Sequence, residues 1–478
     1  MAAFFSIGEK KVRPGNYYRY ENRGTPPTAG SADGRCAAVI RSNWGPLGSP
    51  VAIENSNDIA KFFGSGGTGG TTVVPQEQFK GGARLVFVSR LGTGGTKGNY
   101  KIMDTAATPE AVIQMTMLYP SSREFAVTIR QTLEDTDKRE LLLIEGTTIL
   151  EKFTFDGSSA ANQVEALLEA VDSQKSNYFT LSKLADSTYA LETADQDAVT
   201  AGTDPIINVD AYSAAFEALE AYRWNVLAID TNDSATHLIM QMYLKRLLQG
   251  GKFVTGVIGE PGSVSFATRM LHASAFNDYQ VVYCGHGFVD LTGELYEGYK
   301  AAARVSGLIA GTPSNQSLTH IAISGAVSLS ESLTNFQYEQ ATLSGMLTFS
   351  LSPLSTVWVE AGINTLVVPG SNEDEGWKKI KRTKVRFELF QRLDDTTAML
   401  IGRINNDPDG RATIIQSGNA VCNAMVAEQK LHAGAHIELD KDNPPAGDSA
   451  WFVVVADDID ALEKAYYVFR FRFSAEAA

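Results

Sequence analysis

The sequence has no excess of positive charge and no long hydrophobic run, and these two absences narrow its possible partners. Its 41 Lys and Arg residues stand against 55 Asp and Glu residues, which gives a formal net charge of −14 at pH 7. Nucleic-acid binding depends on a basic surface that neutralises phosphates, so no nucleic acid is expected as a partner. A membrane-spanning helix needs about 18 consecutive apolar residues. No such run occurs, so no membrane insertion is expected.

Cysteine is scarce. Only Cys36, Cys284 and Cys422 occur, far apart and with no CxxC pair. This spacing excludes a zinc ribbon and a dense disulfide framework. Because the number is odd, at least one thiol has no partner within the chain. Either all three cysteines stay reduced or some of them bridge two copies of the chain.

The opening stretch also lacks the pattern of a secretory signal. "MAAFFSIGEKKVRPG" has no basic segment followed by a long apolar one. The chain is therefore expected to be made and folded in a cytoplasm.

What is present is the composition of a globular protein of several domains, with 44% hydrophobic and 20% charged residues in 478. "GRCAAVI" predicts a first core strand. From residue 205 to about 300, apolar strand-like runs such as "WNVLAI" and "YQVVYC" alternate with amphipathic helices. This alternation predicts a mostly parallel sheet. From 99 to 202, short β runs with one helix predict a small barrel or sandwich.

The predicted fold class is thus α/β and α+β multidomain, a mostly parallel α/β core with an inserted all-β domain, a C-terminal α+β domain and extended terminal strand arms. The predicted boundaries are an N-terminal arm at 1–34, a core at 35–98 and 203–369, a β insertion at 99–202, the C-terminal domain at 370–465 and a C-terminal arm at 466–478.

Catalytic groups would gather at the carboxyl ends of the parallel strands, where Asp230, Glu260, Cys284 and His286 fall. A hydrolase using Cys284 as nucleophile is one alternative. Side-chain tips two residues apart on an extended chain rarely meet, however, so His286 is a doubtful base. The glycine-rich "GTGGTKGNY" lacks the order of a phosphate-binding loop. No catalytic residue and no cofactor is predicted.

The stretch "GRINNDPDGR" raises the question of a calcium loop. Asn405, Asp407, Asp409 and Gly410 fit the first half of the helix-loop-helix template, but Gln416 at its twelfth position cannot supply a bidentate carboxylate. The one close histidine pair, in "HAGAH", lacks further ligands nearby. No metal site is predicted. The apolar spacing that follows favours a helix.

The two ends of the sequence are the most informative feature. Tyr18 and Tyr20 alternate as in a strand, and Phe469, Phe471 and Phe473 alternate with arginines. An exposed strand of this kind aggregates unless it is paired. A strand-forming arm at each end suits β-augmentation, in which one copy completes the sheet of another. Head-to-tail contacts of this kind build rings or helices, so the pattern indicates an assembly protein.

Several segments, in this order, resemble the tail sheath proteins of contractile bacteriophages and phage-tail-like bacteriocins: "VRPGNYYRYENRG", "ALEAYRWNVLAIDTND", "AARVSGLIAGTPSNQSLTH", "EAGINTLV", "GRINNDPDGR" and "DDIDALEKAYYVF". The resemblance implies a virion protein, assembled in the host cytoplasm. Its copies would form sixfold rings in a helical sheath around a tail tube and contract from a metastable extended state, with baseplate and tail terminator proteins as further partners. It also implies that the β insertion lies outside, that the C-terminal domain faces the tube, and that "GRINNDPDGR" closes a strand and begins a long helix.

The resemblance further implies two sets of site residues. Strand exchange between subunits would involve Tyr17, Tyr18, Arg19, Tyr20, Val468, Phe469, Arg470, Phe471, Arg472 and Phe473. A solvated basic run would supply contacts to an acidic tube through Lys378, Lys379, Lys381 and Arg382. The cysteines are not a general trait of that family. Because a released particle leaves the reducing cytoplasm, a further hypothesis is that a bridge between subunits through Cys36, Cys284 or Cys422 locks the extended state. A surface layer, a secretion-system sheath and the Cys284 hydrolase remain the alternatives.

Overall fold

The computed structural model of the chain describes residues 3–4, 17–18, 34–64, 67 and 69–471. The chain divides into two compact units. The larger consists of Ala32–Phe387 together with Ile459–Ala478, and the smaller of Met1–Ser31 together with Glu388–Asp458.

Two short strands come first, β1 (Ala3–Phe4) and β2 (Tyr17–Tyr18), and they pair in parallel within the chain. Tyr17 and Tyr18, two of the residues predicted to exchange between subunits, therefore lie in a strand. Arg19 and Tyr20 lie outside the described residues. Exchange of this segment between copies stays a prediction.

The larger unit contains most of the regular structure. Its first part comprises β3 (Arg35–Ile40), β4 (Val51–Ile53), α1 (Ile59–Phe63), α2 (Val73–Gly81), β5 (Leu85–Arg90), β6 (Lys97–Met103), β7 (Ala111–Pro120), β8 (Ala126–Gln131), β9 (Lys138–Glu145), β10 (Thr148–Asp156), α3 (Gln163–Gln174), β11 (Phe179–Lys183) and β12 (Ala194–Ala198). Its second part comprises α4 (Val209–Leu219), β13 (Val226–Ile229), α5 (Ser234–Gln249), β14 (Thr255–Gly259), α6 (Phe266–Phe276), β15 (Val281–Cys284), β16 (Phe288–Asp290), β17 (Leu295–Tyr296), α7 (Tyr299–Gly311), β18 (Ala326–Leu329), α8 (Asn335–Leu343), β19 (Met346–Leu347), β20 (Phe349–Leu351) and β21 (Val357–Val359).

A seven-stranded sheet forms the core of the larger unit, in the order β19-β15-β14-β13-β3-β5-β4. Every neighbouring pair is parallel except β4 and β5, which run antiparallel. The predicted alternation of strands and helices from residue 205 to about 300 is confirmed, as is the strand predicted for "GRCAAVI". The strands are buried on both faces, because helices cover each side, and this explains their continuous apolar runs.

The region from β6 to β12 forms two antiparallel sheets, β10-β9-β8-β12 and β11-β7-β6. They share one hydrophobic core with α3, so the arrangement is a sandwich with a helix. Trp44 lies outside this region in sequence, yet its side chain is buried in the same core against Tyr119 and Phe125. The region belongs to the larger compact unit, and its boundaries as a separate domain stay a prediction.

Helices α2 and α7 pack at unusually close range. Gly307 of α7 lies against the backbone of Gln78, and a methyl group at that position would overlap the Gln78 carbonyl oxygen. The same crossing buries an ion pair in which Arg304 Nε lies 2.9 Å from Glu77 Oε2. Because both charges are buried, separating them would leave an uncompensated charge inside the protein, so the pair opposes movement of the two helices apart.

In the smaller unit, α10 (Pro408–Ala427) precedes the hairpin of β22 (His436–Leu439) and β23 (Phe452–Val455). The stretch "GRINNDPDGR" begins α10: Asp407 is the N-cap, and its Oδ1 accepts a hydrogen bond of 2.8 Å from the Gly410 N–H. Pro408 occupies the first turn, where its missing N–H costs no hydrogen bond. The predicted helix start is confirmed, with Asp409 and Gly410 already inside the helix.

The expectation that a strand precedes this start was wrong. The preceding element is another helix, α9 (Ile380–Thr397). Alternating apolar residues in "TKVRFELF" fit a strand period equally well. The structure buries Lys381, Val385, Phe387 and Glu388 together. A strand with one buried face would not bury the neighbouring residues Phe387 and Glu388 together, whereas Lys381, Val385 and Glu388 recur at the spacing of one helix face.

Gly307→Ala should lower the free energy of unfolding by about 2 kcal/mol, because the added methyl forces α2 and α7 apart. Urea unfolding of the purified protein measures the change. Gly370→Ala is the matched control, since the nearest atom lies 3.5 Å from its added methyl. Equal effects of the two substitutions would contradict the close crossing.

Asp407→Ala should destabilise the smaller unit by about 1 kcal/mol, because the Gly410 N–H loses its acceptor. Asp442→Ala is the control, an exposed aspartate whose carboxylate has no hydrogen bond to any described residue. Thermal unfolding measures the loss of stability in each variant. Repeating it with millimolar calcium tests whether the stretch binds the ion. A rise in Tm with calcium would show that the stretch binds the ion.

Candidate assembly segments

The last described residues of the larger unit, 459–471, run without helix or strand. The first half of this segment is anchored. The Lys379 ammonium lies 2.6 Å from Asp460 Oδ2 and 3.1 Å from Glu463 Oε2. The hydroxyls of Ser317 and Thr319 donate hydrogen bonds of 2.8 Å and 2.9 Å to Glu463 Oε1. These contacts fix the chain as far as Glu463.

Beyond this anchor comes a segment that we call the aromatic arm, residues 464–471. Its large apolar side chains are 76% to 93% exposed, and they are Tyr466, Tyr467, Val468, Phe469 and Phe471. The rings of Phe469 and Phe471 stack with their centroids 6.2 Å apart, so they share one side of the chain as their alternation predicted. Arg472 and Phe473 lie outside the described residues. An apolar segment this exposed indicates a missing partner.

The hairpin of β22 and β23 offers an open strand edge. The Ile437 N–H donates a 2.7 Å hydrogen bond to the Asn419 side chain instead of to β23. Ile437 and Val454 are therefore a non-hydrogen-bonded pair, and the Val454 N–H and C=O point away from β22. Val453, Val454 and Val455 are each about 40% exposed. Since a two-stranded sheet is only marginally stable alone, a further strand at this edge would complete it.

This edge was not predicted from the sequence. Its signal there is the run "WFVVV" at 451–455, an apolar β-rich stretch without alternation. The anchoring residues Asp460 and Glu463 were not predicted either, because their partner Lys379 is remote in sequence.

Comparisons with known proteins agree with this architecture. The family model for the phage tail sheath protein central domain matches residues 207–365. The phage-like element PBSX protein XkdK of Bacillus subtilis (strain 168) is 24% identical over 407 residues, 80% of this chain and 78% of that protein. A sheath tail protein from Desulfitobacterium hafniense has a TM-score of 0.66 at 19% identity, covering 93% of this chain and 100% of that one. The anti-feeding prophage helical sheath in its contracted state has a TM-score of 0.52 at 11% identity, covering 97% and 99%.

The chain has the tail sheath fold. The resemblance to tail sheath proteins that the sequence indicated is thereby confirmed. The family model covers residues 207–365, and the likeness in fold covers 93% of the chain. The matched central domain contains the strands β13, β14 and β15 of the parallel sheet together with α7.

Within the tail sheath fold, the basic run at 378–382 is not the solvated patch that the sequence suggested. Lys378 pairs with Glu375 at 2.7 Å, and Lys379 holds the two acidic residues of the anchor. Lys381 is buried and Arg382 is half-buried. Contact of these four residues with a tube stays a prediction, and the charges of the first two already have partners in the chain.

The three cysteines are free and buried. Burial raises the pKa of the Cys36 and Cys422 thiols and raises that of Cys284 to about 12. The Cys284 Sγ lies 3.3 Å from the His286 carbonyl oxygen rather than beside its imidazole. A nucleophile and base pair is therefore not formed. A bridge between subunits stays a prediction, and it would require the surroundings of a buried sulfur to open.

The other strand ends are also occupied by structural contacts. The Asp230 carboxylate accepts hydrogen bonds from Arg41 Nε at 2.8 Å, Thr71 Oγ1 at 2.8 Å and Tyr212 OH at 2.7 Å. Glu260 accepts one of 2.6 Å from the Tyr283 hydroxyl. In the described part of the chain, no group of three or more His, Cys, Asp or Glu side chains is placed to hold a metal ion. Over those same residues, no helix combines the length and apolarity that crossing a membrane requires.

The native protein should show almost no reaction of its three thiols with Ellman's reagent at pH 8, since the protonated, buried sulfur atoms are poor nucleophiles. All three should react in guanidinium chloride. Rapid reaction of one thiol in the native state would support the hydrolase or the bridge instead, and Cys284→Ser would identify which thiol it is.

Proposed function

We propose that the chain is the structural subunit of a contractile tail sheath, which polymerises around a tail tube and contracts to drive that tube through the envelope of a target cell. The observation that carries the proposal is the aromatic arm, whose apolar side chains are exposed although its base is anchored. The central-domain match and the fold shared with a contracted helical sheath support it.

The aromatic arm would add as a strand to the outer edge of β23 in another copy. Each new backbone hydrogen bond contributes about 1 kcal/mol net. Burial of a large aromatic or aliphatic side chain contributes about 2 kcal/mol. One exchanged arm would thus stabilise a contact by several kcal/mol, less the cost of ordering the arm. Residues 17–20 and 468–473 are the proposed exchange segments.

Exchange of this kind explains how copies with a net charge of −14 associate at all. Like charges repel, and the repulsion grows as more copies join. Backbone hydrogen bonds and apolar contacts do not depend on charge, so they hold neighbours together despite it. Every copy donates its aromatic arm to one neighbour and accepts the arm of another, so the contact repeats without closing on a pair.

The partners would be further copies in stacked sixfold rings, a tail tube protein, and baseplate and tail terminator proteins. The β insertion at 99–202 would face outward and the C-terminal domain at 370–465 would face the tube. During contraction the subunits would move as nearly rigid bodies, with the segments beside the exchanged strands acting as hinges. The particle would be a virion tail or a tail-like device assembled in the cytoplasm of the host.

Val454→Pro tests the acceptor edge without breaking the hairpin. Proline removes the outward-pointing N–H and leaves the hydrogen bonds between β22 and β23 in place. Negative-stain electron microscopy should show long hollow tubes for the unmodified protein and almost none for this variant, at nearly unchanged Tm. Val454→Thr keeps the N–H and should form tubes.

Deletion of residues 464–478 should abolish the tubes in the same way. Tubes of normal length from either Val454→Pro or the deletion would contradict the exchange. Flat sheets from the unmodified protein would indicate a surface layer, and discrete particles at high concentration would contradict self-assembly without a tube.

A further inference from the structure

Lys379 is the centre of a small polar cluster that we call the clamp: Lys379, Asp460, Glu463, Ser317 and Thr319. The two oxygens of the Glu463 carboxylate contact different groups. Oε1 accepts the hydroxyl hydrogens of Ser317 and Thr319, and Oε2 lies 3.1 Å from the Lys379 ammonium. Asp460 contacts the same ammonium at 2.6 Å. Two acidic residues of the segment are thus held by one lysine side chain.

The electrostatics favour the charged form of this lysine. Burial disfavours the ammonium, but its hydrogen bonds to Asp460 and Glu463 outweigh that effect and raise the pKa of Lys379 above its usual value. The Lys379 ammonium therefore keeps its charge over the whole neutral range.

The position of the clamp along the chain is the decisive observation. Glu463 is half-buried, whereas every described residue after it is exposed. Leu462, directly before it, is also exposed, so apolar packing does not fix this part of the segment. Glu463 is thus the last residue before the aromatic arm that the larger unit holds, and it is held by polar contacts.

We propose that Lys379 is a positioning residue for assembly: through Asp460 and Glu463 it fixes the point and direction in which the aromatic arm leaves its own subunit. The proposal rests on the proposed function of the arm in strand exchange. A fixed base confines the arm to a small volume, which raises its effective concentration at a neighbour's strand edge. The loss of the clamp would let the arm sample many directions and slow each exchange.

The clamp is also suited to release. Its charged groups remain partly exposed, and ion pairs of this kind are weak and screened by salt. A change in the direction of the arm between two lattice states would require these contacts to break, and weak polar contacts do so more readily than buried apolar ones.

The experiment compares Lys379→Met with Lys378→Met. Both remove one positive charge from neighbouring positions, but Lys378 contacts only Glu375 among the ion pairs of the described residues. Lys379→Arg keeps the charge and serves as the conservative rescue. A nitroxide label attached through Ala465→Cys reports the mobility of the arm in the dilute, unassembled full-length protein. The buried native thiols leave this position selectively reactive.

Lys379→Met should raise the label's mobility and slow tube growth, followed by light scattering, about threefold or more. Lys378→Met and Lys379→Arg should behave as the unmodified protein in both measurements. All the variants should keep the same far-ultraviolet circular dichroism.

Unchanged mobility in Lys379→Met would overturn the clamp. Raised mobility with unchanged growth would overturn its role in positioning. If the unmodified protein forms no tubes, the proposed sheath function fails, and the mobility comparison alone then decides whether Lys379 holds the base of the arm.

Discussion

Backbone groups at a strand edge must find hydrogen-bond partners, and the organisation of this protein depends on how that requirement is met. In the seven-stranded sheet, the backbone groups of the central strands pair with neighbouring strands of the same sheet, as β13 and β3 do in parallel at its middle. The hairpin of β22 and β23 leaves an edge open, and the aromatic arm is a strand sequence without a sheet. One chain therefore holds both halves of the strand exchange that we propose between copies.

Strand exchange would transmit force from copy to copy only if the part of each chain between its aromatic arm and its open strand edge is rigid. The close crossing of α2 and α7, with Gly307 against Gln78 and the buried pair of Arg304 and Glu77, admits a single arrangement of those helices over the sheet. Trp44 ties the β sandwich to the same unit. Packed interiors of this kind do not deform gradually. Motion would then concentrate in the segments that carry no buried side chains.

Much of the fold could be predicted from the sequence. The features that could not be predicted are those that local sequence does not decide. The parallel strands could be predicted because each is a short apolar run followed by an amphipathic helix, as in β13 and α5. The capped start at Asp407 could be predicted because it is local. Helix α9 could not, because its alternating residues fit two periods. The contact of Lys379 with Glu463 joins residues far apart in the chain, and no local pattern encodes it.

The anchor and the aromatic arm that follows it are stabilised by different interactions, and this difference has a mechanical consequence. The anchor at Asp460 and Glu463 is held by ion pairs, which salt screens, and by hydroxyl contacts. The aromatic arm beyond it is apolar and is stabilised when its side chains leave water. Under load, the weaker attachment yields first. If the arm is exchanged as we propose, a subunit would rotate about the base of its arm while the exchanged strand stays paired with its neighbour. The lattice would keep its connections while its geometry changes, which contraction without disassembly requires.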